Sequence, residues 1–370
     1  MQRVIAAVLF SAVMLAGSWA AAADDIVIGA GFLLSGRFAS YGEDAKAGVD
    51  LGVKEINVGG GVLGRKLAVD YEDTKADRAV AVANYRKWAA RPEVVAMFSI
   101  STIEFLALDP VGPEVKLPFI SIGSAGPVES FKPWSFRVQL IVSKAMGPVL
   151  NELKGLYGIK SVGVIFDTNN NYTVGEMETV KKATPTVGLA LKDIEPFSSG
   201  DQDFSLQITR LKQNEPDLLY VAATTDEATL IISQARALGL KSRMIGGAGL
   251  NDPRIASLPG KAADGVMTFF PFDATDPRPR VQKFINAYKD AFRKDPPAYA
   301  ALGYDAIRLL ADAIARAGSL DRTKVRDALG STRDFEGANG LFSYAGAGDN
   351  LHQKPNIFAM ADGKFKRISK

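Results

Sequence analysis

Short apolar runs alternate with helical patterns from Ile26 to the end of the chain, and this alternation constrains the fold more than any other feature. The opening unit shows it plainly. Ile26–Phe32 reads as a strand, Ser35 to Tyr41 as a Gly- and Ser-bearing loop, and the next stretch as a helix. Gly59 to Gly64 then reads as a glycine turn before a second strand that ends at Asp73. Two strands separated by a helix pair in parallel, and a parallel sheet needs helices on both faces.

The pattern repeats at intervals of ~20–30 residues. Helices are expected at 76–91, 144–157, 174–183, 204–214, 226–238, 280–292, 298–317 and 321–329. A short helix over Thr102–Val111 is stopped by Pro113. Strands are expected at 94–99, 117–122, 161–166, 190–195, 218–223, 244–247, 266–270, 341–344, 357–360 and 365–368. The 136–138 run opens a connection, Gly123 to Pro127 forms a loop, and Asp226 stands where a helix N-cap belongs. Asp362-Gly363 signals a two-residue hairpin turn. So many strands overfill one open sheet, so the expected fold is α/β with two doubly wound, Rossmann-like lobes. A single barrel fits less well, because the elements cluster into two similar series. Ile28–Gly42 and Val162–Gly175 echo each other as strand, loop, aromatic, glycine and helix.

The first residues read differently. Met1-Gln2-Arg3 is basic, Val4 to Ala16 is apolar and too short to span a bilayer comfortably, and an alanine run follows. Residues 1–23 are expected to be a secretory signal peptide. The chain has no cysteine, which closes the lipid-anchor route and leaves stability to the core. A periplasmic protein, not a lipoprotein, is expected. The net charge of +3 is too even to argue for nucleic acid or an anionic membrane.

Catalytic chemistry finds little support. The one histidine, His352, sits in a polar turn without a nucleophile signature. Metal-ligand spacings are absent, so no metal and no cofactor are expected. The Gly59–Gly64 run follows a helix instead of preceding one, which removes a dinucleotide loop. These residues argue against an enzyme that works through histidine, cysteine or a bound metal.

Four motifs then stand in order: LLSGRFASYG, EINVGGGVLGRKL, PDLLYVAATTDEATLIISQARALGL and YAALGYDAIRLLADAIARAGSLD. Together they resemble the branched-chain-amino-acid-type periplasmic solute-binding proteins that feed ABC importers. The resemblance implies a type I periplasmic binding fold that closes by hinge motion on a small ligand. It implies lobe 1 over 24–140 and 274–346, and lobe 2 over 141–273 and 347–370. The crossings would fall near 138–142, 271–279 and 344–349. It also implies a monomer that captures an amino acid or organic acid and hands it to membrane permease subunits. A ligand-sensing receptor of the same fold is the alternative.

Position by position, the resemblance makes Tyr41 the aromatic of the first loop. Ser101 and Thr102 fall at the helix start that holds a ligand carboxylate. Gly123, Ser124 and Ala125 form the loop after the fourth strand. Tyr172 is the second lobe's aromatic, Thr224 ends a strand, and Tyr299 lies near the side-chain pocket. Two positions depart from the family. Ala125 replaces a threonine, and Ala248 replaces the acid that pairs with the ligand ammonium. Burying an ammonium without an anion is costly. The ligand therefore either lacks an α-amino group or finds its anion in Asp226 or Glu227.

Overall fold

The computed structural model describes residues 24–126, 132–258, 261–346, 348–352 and 354–369. The expected signal peptide and Pro127 of the expected loop lie outside them. The first sheet is built from β1 (Ile26–Phe32), β2 (Leu67–Asp73), β3 (Val94–Ser99), β4 (Phe119–Ser121) and β5 (Ser135–Arg137). All run parallel, in the order β2-β1-β3-β4-β5. Between them lie α1 (Ala39–Val58), α2 (Arg78–Ala89), α3 (Thr102–Leu108) and α4 (Gly112–Val115). β1 and β3 are buried almost throughout, as parallel strands covered on both faces should be.

The second sheet follows the same plan. Its members are β6 (Ser161–Asp167), β7 (Ala190–Phe197), β8 (Leu218–Ala222), β9 (Arg243–Gly246) and β10 (Met267–Phe270). They are spaced by α5 (Val142–Tyr157, preceding β6), α6 (Asn171–Thr186), α7 (Ser205–Gln213), α8 (Thr225–Ala237) and α9 (Pro253–Ala256). The order β7-β6-β8-β9-β10 repeats that of the first sheet, so the echo between Ile28–Gly42 and Val162–Gly175 joins topologically equivalent stretches. The chain then returns to the first sheet with α10 (Pro279–Phe292), α11 (Ala298–Ala317) and α12 (Arg322–Gly330), and with the small hairpin β11 (Phe335–Gly337) and β12 (Gly340–Phe342). It ends on β13 (Asn356–Ala361) and β14 (Lys364–Arg367), antiparallel strands added to the edge of the second sheet. Asp362 and Gly363 both have positive φ, 54° and 71°, as a type I′ turn requires.

Several local expectations need correction. Pro113 does not merely stop a helix. It sits in the first turn of α4, where a missing N–H costs nothing. Residues 135–137 form β5 instead of a plain connection, a strand too short to show alternation. The N-cap of α8 is Thr224, not Asp226. The Asp226 carboxylate pairs instead with Arg254 at 2.6 Å. A 3-10 turn over Ala248–Leu250 and the short α9 fill what reads in the sequence as loop.

α11 is buried on most of its surface and packs along α1. Two glycines set that approach. A Cβ on Gly48 would lie 1.9 Å from the Ala300 carbonyl oxygen, and one on Gly303 would lie 2.2 Å from that of Ala45. The helices therefore meet backbone to backbone. Gly303→Ala should lose at least about 1 kcal/mol of stability by urea denaturation, although alanine is the better helix former by about 1 kcal/mol. A raised midpoint would show that the contact is not limiting.

Candidate functional site

The carboxyl ends of the two sheets face each other, and the segments leaving β1, β3, β4, β6, β8 and β9 enclose one cavity. Open parallel sheets place their ligand crevices at this edge. The cavity offers roughly 60 Å³ to the centre of a water molecule, space for about four waters or one small ligand.

Its walls are mostly aromatic and aliphatic. Tyr41 and Tyr299 lie with ring centroids 5.0 Å apart, Phe38 stacks near Tyr41 at 6.5 Å, and Tyr172 closes the opposite side. Leu33, Ile100 and Ile103 complete the apolar surface. Burial pushes the Tyr41 hydroxyl up to about 12 and raises those of Tyr172 and Tyr299 as well. The phenols therefore remain neutral donors.

The polar groups come from helix starts. Ser101 caps α3, its Oγ accepting from the Glu104 amide at 3.1 Å while the Glu104 carboxylate accepts from the Ser101 amide at 3.0 Å. This capping box leaves the Thr102 and Ile103 amides without helical acceptors. Asn170 caps α6 by accepting from the Tyr172 amide at 2.9 Å. Thr224 begins α8, with no side-chain cap on the helix amides. Three helix N-termini thus converge on one small space, and their potential favours an anion. Among the described residues, no Asp, Glu, Lys or Arg lines the cavity.

Contacts between the two sheets' segments close the mouth. Arg37, in the loop after β1, donates to Glu227 Oε1 at 2.5 Å and to Thr224 Oγ1 at 2.9 Å. The Tyr41 hydroxyl lies 2.6 Å from Thr225 Oγ1, and Arg78 donates to Asn171 at 2.5 Å. Glu227 also accepts from the Gly200 amide at 3.0 Å, and these partners hold its carboxyl below the usual range despite burial. With Asp226 bound to Arg254 and Glu227 to Arg37, neither supplies a free anion to the cavity.

Of the ten residues singled out in the sequence, Tyr41, Ser101, Thr102, Gly123, Tyr172, Thr224, Ala248 and Tyr299 line this cavity. Ser124 lies fully buried behind it, 3.4 Å from Thr102 Oγ1. Ala125 lines a smaller adjoining cavity that shares Tyr172 and Ala248. The sequence did not single out Phe38, Ala76 and Asn170. Phe38 and Asn170 belong to loops whose position after a strand is legible, whereas the left-handed backbone at Ala76, φ 60°, has no sequence signal.

Behind Ala248 lies a buried carboxyl. Glu176 Oε1 accepts from Tyr172 at 2.6 Å and from Tyr220 at 2.8 Å, while the Ala248 amide donates to the Tyr172 hydroxyl at 3.0 Å. Burial pushes Glu176 up to about 8, against the opposing pull of its two tyrosine donors. His352 is exposed in its turn, and among the described residues no acid, histidine or cysteine cluster could hold a metal.

Comparison with known proteins agrees with this architecture. A family model described as "Periplasmic binding protein" matches residues 25–364. A leucine-, isoleucine-, valine-, threonine- and alanine-binding protein of Pseudomonas aeruginosa is 30% identical over 348 residues, covering 92% of each chain. A Leu/Ile/Val-binding protein homolog of Brucella abortus is 29% identical, covering 97% of this chain and 98% of its own. The structure of a leucine-binding protein from Thermotoga maritima aligns with a TM-score of 0.86 at 27% identity, over 93% of this chain and 98% of that one. A solute-binding protein from R. palustris in complex with benzoate shares the fold, with a TM-score of 0.83 at 19% identity over 93% and 96% of the chains.

Glu176 reports on this layer. Its carboxyl titrates near 4.5 ordinarily and near 8 here. Between those values the folded state holds a proton that the unfolded chain has lost. The associated stability is complete below about pH 4.5 and is lost as pH rises to about 8, by up to about 1.4 kcal/mol per unit. Glu176→Gln should therefore gain on the wild type between pH 5 and pH 9 in urea denaturation. Parallel pH profiles would show that the carboxyl is already ionised in the fold.

Proposed function

The chain belongs to the periplasmic binding protein family, and from that premise we propose that it captures a small carboxylate with an apolar or aromatic body. Capture occurs in the periplasm, between two lobes, and the ligand passes to the permease of an ABC importer. Relatives are named for branched-chain amino acids, which share the carboxylate and the apolar body. The observation that carries the proposal is the lining. It presents three helix starts and an aromatic wall, with no carboxylate to pair an ammonium. The helix starts suit the ligand's anion, and the aromatic rings bury its body. A buried ammonium would be left without a counter-charge.

The chain passes between the two sheets after Arg137, after Phe270 and between Phe342 and Asn356. These passages serve as the hinge, and the Arg37–Glu227 pair serves as the latch of the closed form. Opening separates the pair, and closing around ligand restores it.

Calorimetric titration with leucine, isoleucine and valine, and with benzoate, phenylacetate and 3-methylbutanoate, tests the ligand class. Binding in the micromolar range is expected for an amine-free acid, with the amino acids weaker. Micromolar leucine binding would overturn the amine-free reading. For the ligand that binds, Arg37→Ala should raise Kd about fivefold, the worth of one half-exposed interlobe pair. An unchanged Kd would remove the latch role.

A further inference from the structure

Beside the main cavity, past Tyr172 and Ala248, lies an annex of roughly 10 Å³ accessible to a water centre. That is room for a single oxygen-sized group. Ala125 and Ala248 both line it. So does Gln139, only 1% exposed. The Gln139 amide has a defined orientation. Its Oε1 accepts from the Leu140 backbone N–H at 2.9 Å, which leaves Nε2 as the remaining donor of the side chain. Nε2 has no acceptor of proper geometry, although it faces the Tyr299 hydroxyl of the main cavity. A buried donor without an acceptor is costly, and a ligand that supplies one relieves that cost.

We propose that this annex is a subsite for a hydrogen-bond-accepting oxygen of the ligand, a hydroxyl or carbonyl, with Gln139 as the specificity-determining donor. The proposal rests on the cavity being the ligand site and names the substrate class within it: oxygen-substituted carboxylates. Side chains larger than alanine at 125 or 248 would fill the space. A fixed acid there would attract a cation, whereas an amide donor selects an acceptor.

Matched ligands that differ by one oxygen test this by calorimetry. The pairs are 3-methylbutanoate against 3-methyl-2-oxobutanoate, benzoate against 4-hydroxybenzoate, and valine against threonine. The first places the oxygen beside the carboxylate and the second on the distal ring, so they identify which end enters the annex. The wild type should bind the oxygen-bearing member of at least one pair about tenfold more tightly. Gln139→Leu should abolish that preference, and Ala248→Val, which fills the annex without removing the donor, should do the same. Equal binding within every pair, or a preference that survives both variants, overturns the subsite. If only the amino acids bind, the amine-free reading fails while the valine and threonine pair still decides the annex. If no ligand of any pair binds, both fail.

Discussion

Parallel strand pairing is the constraint on which the rest depends. When the helix-linked strands of a sheet run the same way, the N-termini of the helices that follow them gather at one edge. Two such sheets set edge to edge bring their unpaired N–H groups into one space. Here α3, α6 and α8 begin around the same cavity, whose walls carry no charged side chain among the described residues. An anion can be held there by oriented peptide dipoles alone, at no cost in buried side-chain charge. The aromatic residues then have only to exclude water and fit the ligand body.

The same geometry requires rigid junctions where the chain leaves one sheet for the other. Arg137, at the end of β5, is fully buried at such a junction. Its guanidinium pairs with Asp349 at 2.7 Å, donates to the Gly126 carbonyl at 2.5 Å and lies over the Phe105 ring. Its own carbonyl accepts from the Tyr344 hydroxyl at 2.8 Å. A buried cation persists only when its donors are used, and from the start of the first passage Arg137 reaches the last passage through Asp349 and Tyr344, the loop after β4 through Gly126, and α3 through Phe105. One side chain thus joins two of the passages between sheets to the Gly123–Gly126 loop.

Much of this was legible in the sequence because it rests on periodicity. The strands β1, β3 and β6 are apolar runs, and the glycine order around α1 excluded a nucleotide loop. Tyr41 and Tyr172 were named through the family resemblance, and the structure sets them after topologically equivalent strands. What was not legible depends on distance. Arg37 meets Glu227 190 residues away, and Glu176, in the middle of α6, looks like any helix-face acid until Tyr220 covers it. Gln139 lies beside a passage between sheets, where neither helical nor strand period operates. Asp226 looked like a cap because it opens an acidic first turn, yet the backbone enters α8 two residues earlier.

The buried acid completes the physical case for an uncharged site. A Cβ on Gly247 would lie 2.1 Å from Glu176 Oε1 and 2.5 Å from the Tyr172 hydroxyl, so only a glycine lets the loop rest on this carboxyl. The acid is therefore present, but one layer deeper than the cavity wall, and Tyr172 stands between it and any ligand. At neutral pH its burial keeps the proton on, so it acts as a hydrogen-bonded brace and not as a counter-charge. Moving a negative charge to that wall would take more than Ala248→Glu. The Ala248 amide would have to keep its bond to Tyr172 while the new carboxylate was desolvated between aromatic rings. Ala248, Tyr172 and Glu176 thus form three layers, and the only carboxyl among them is the one farthest from the cavity.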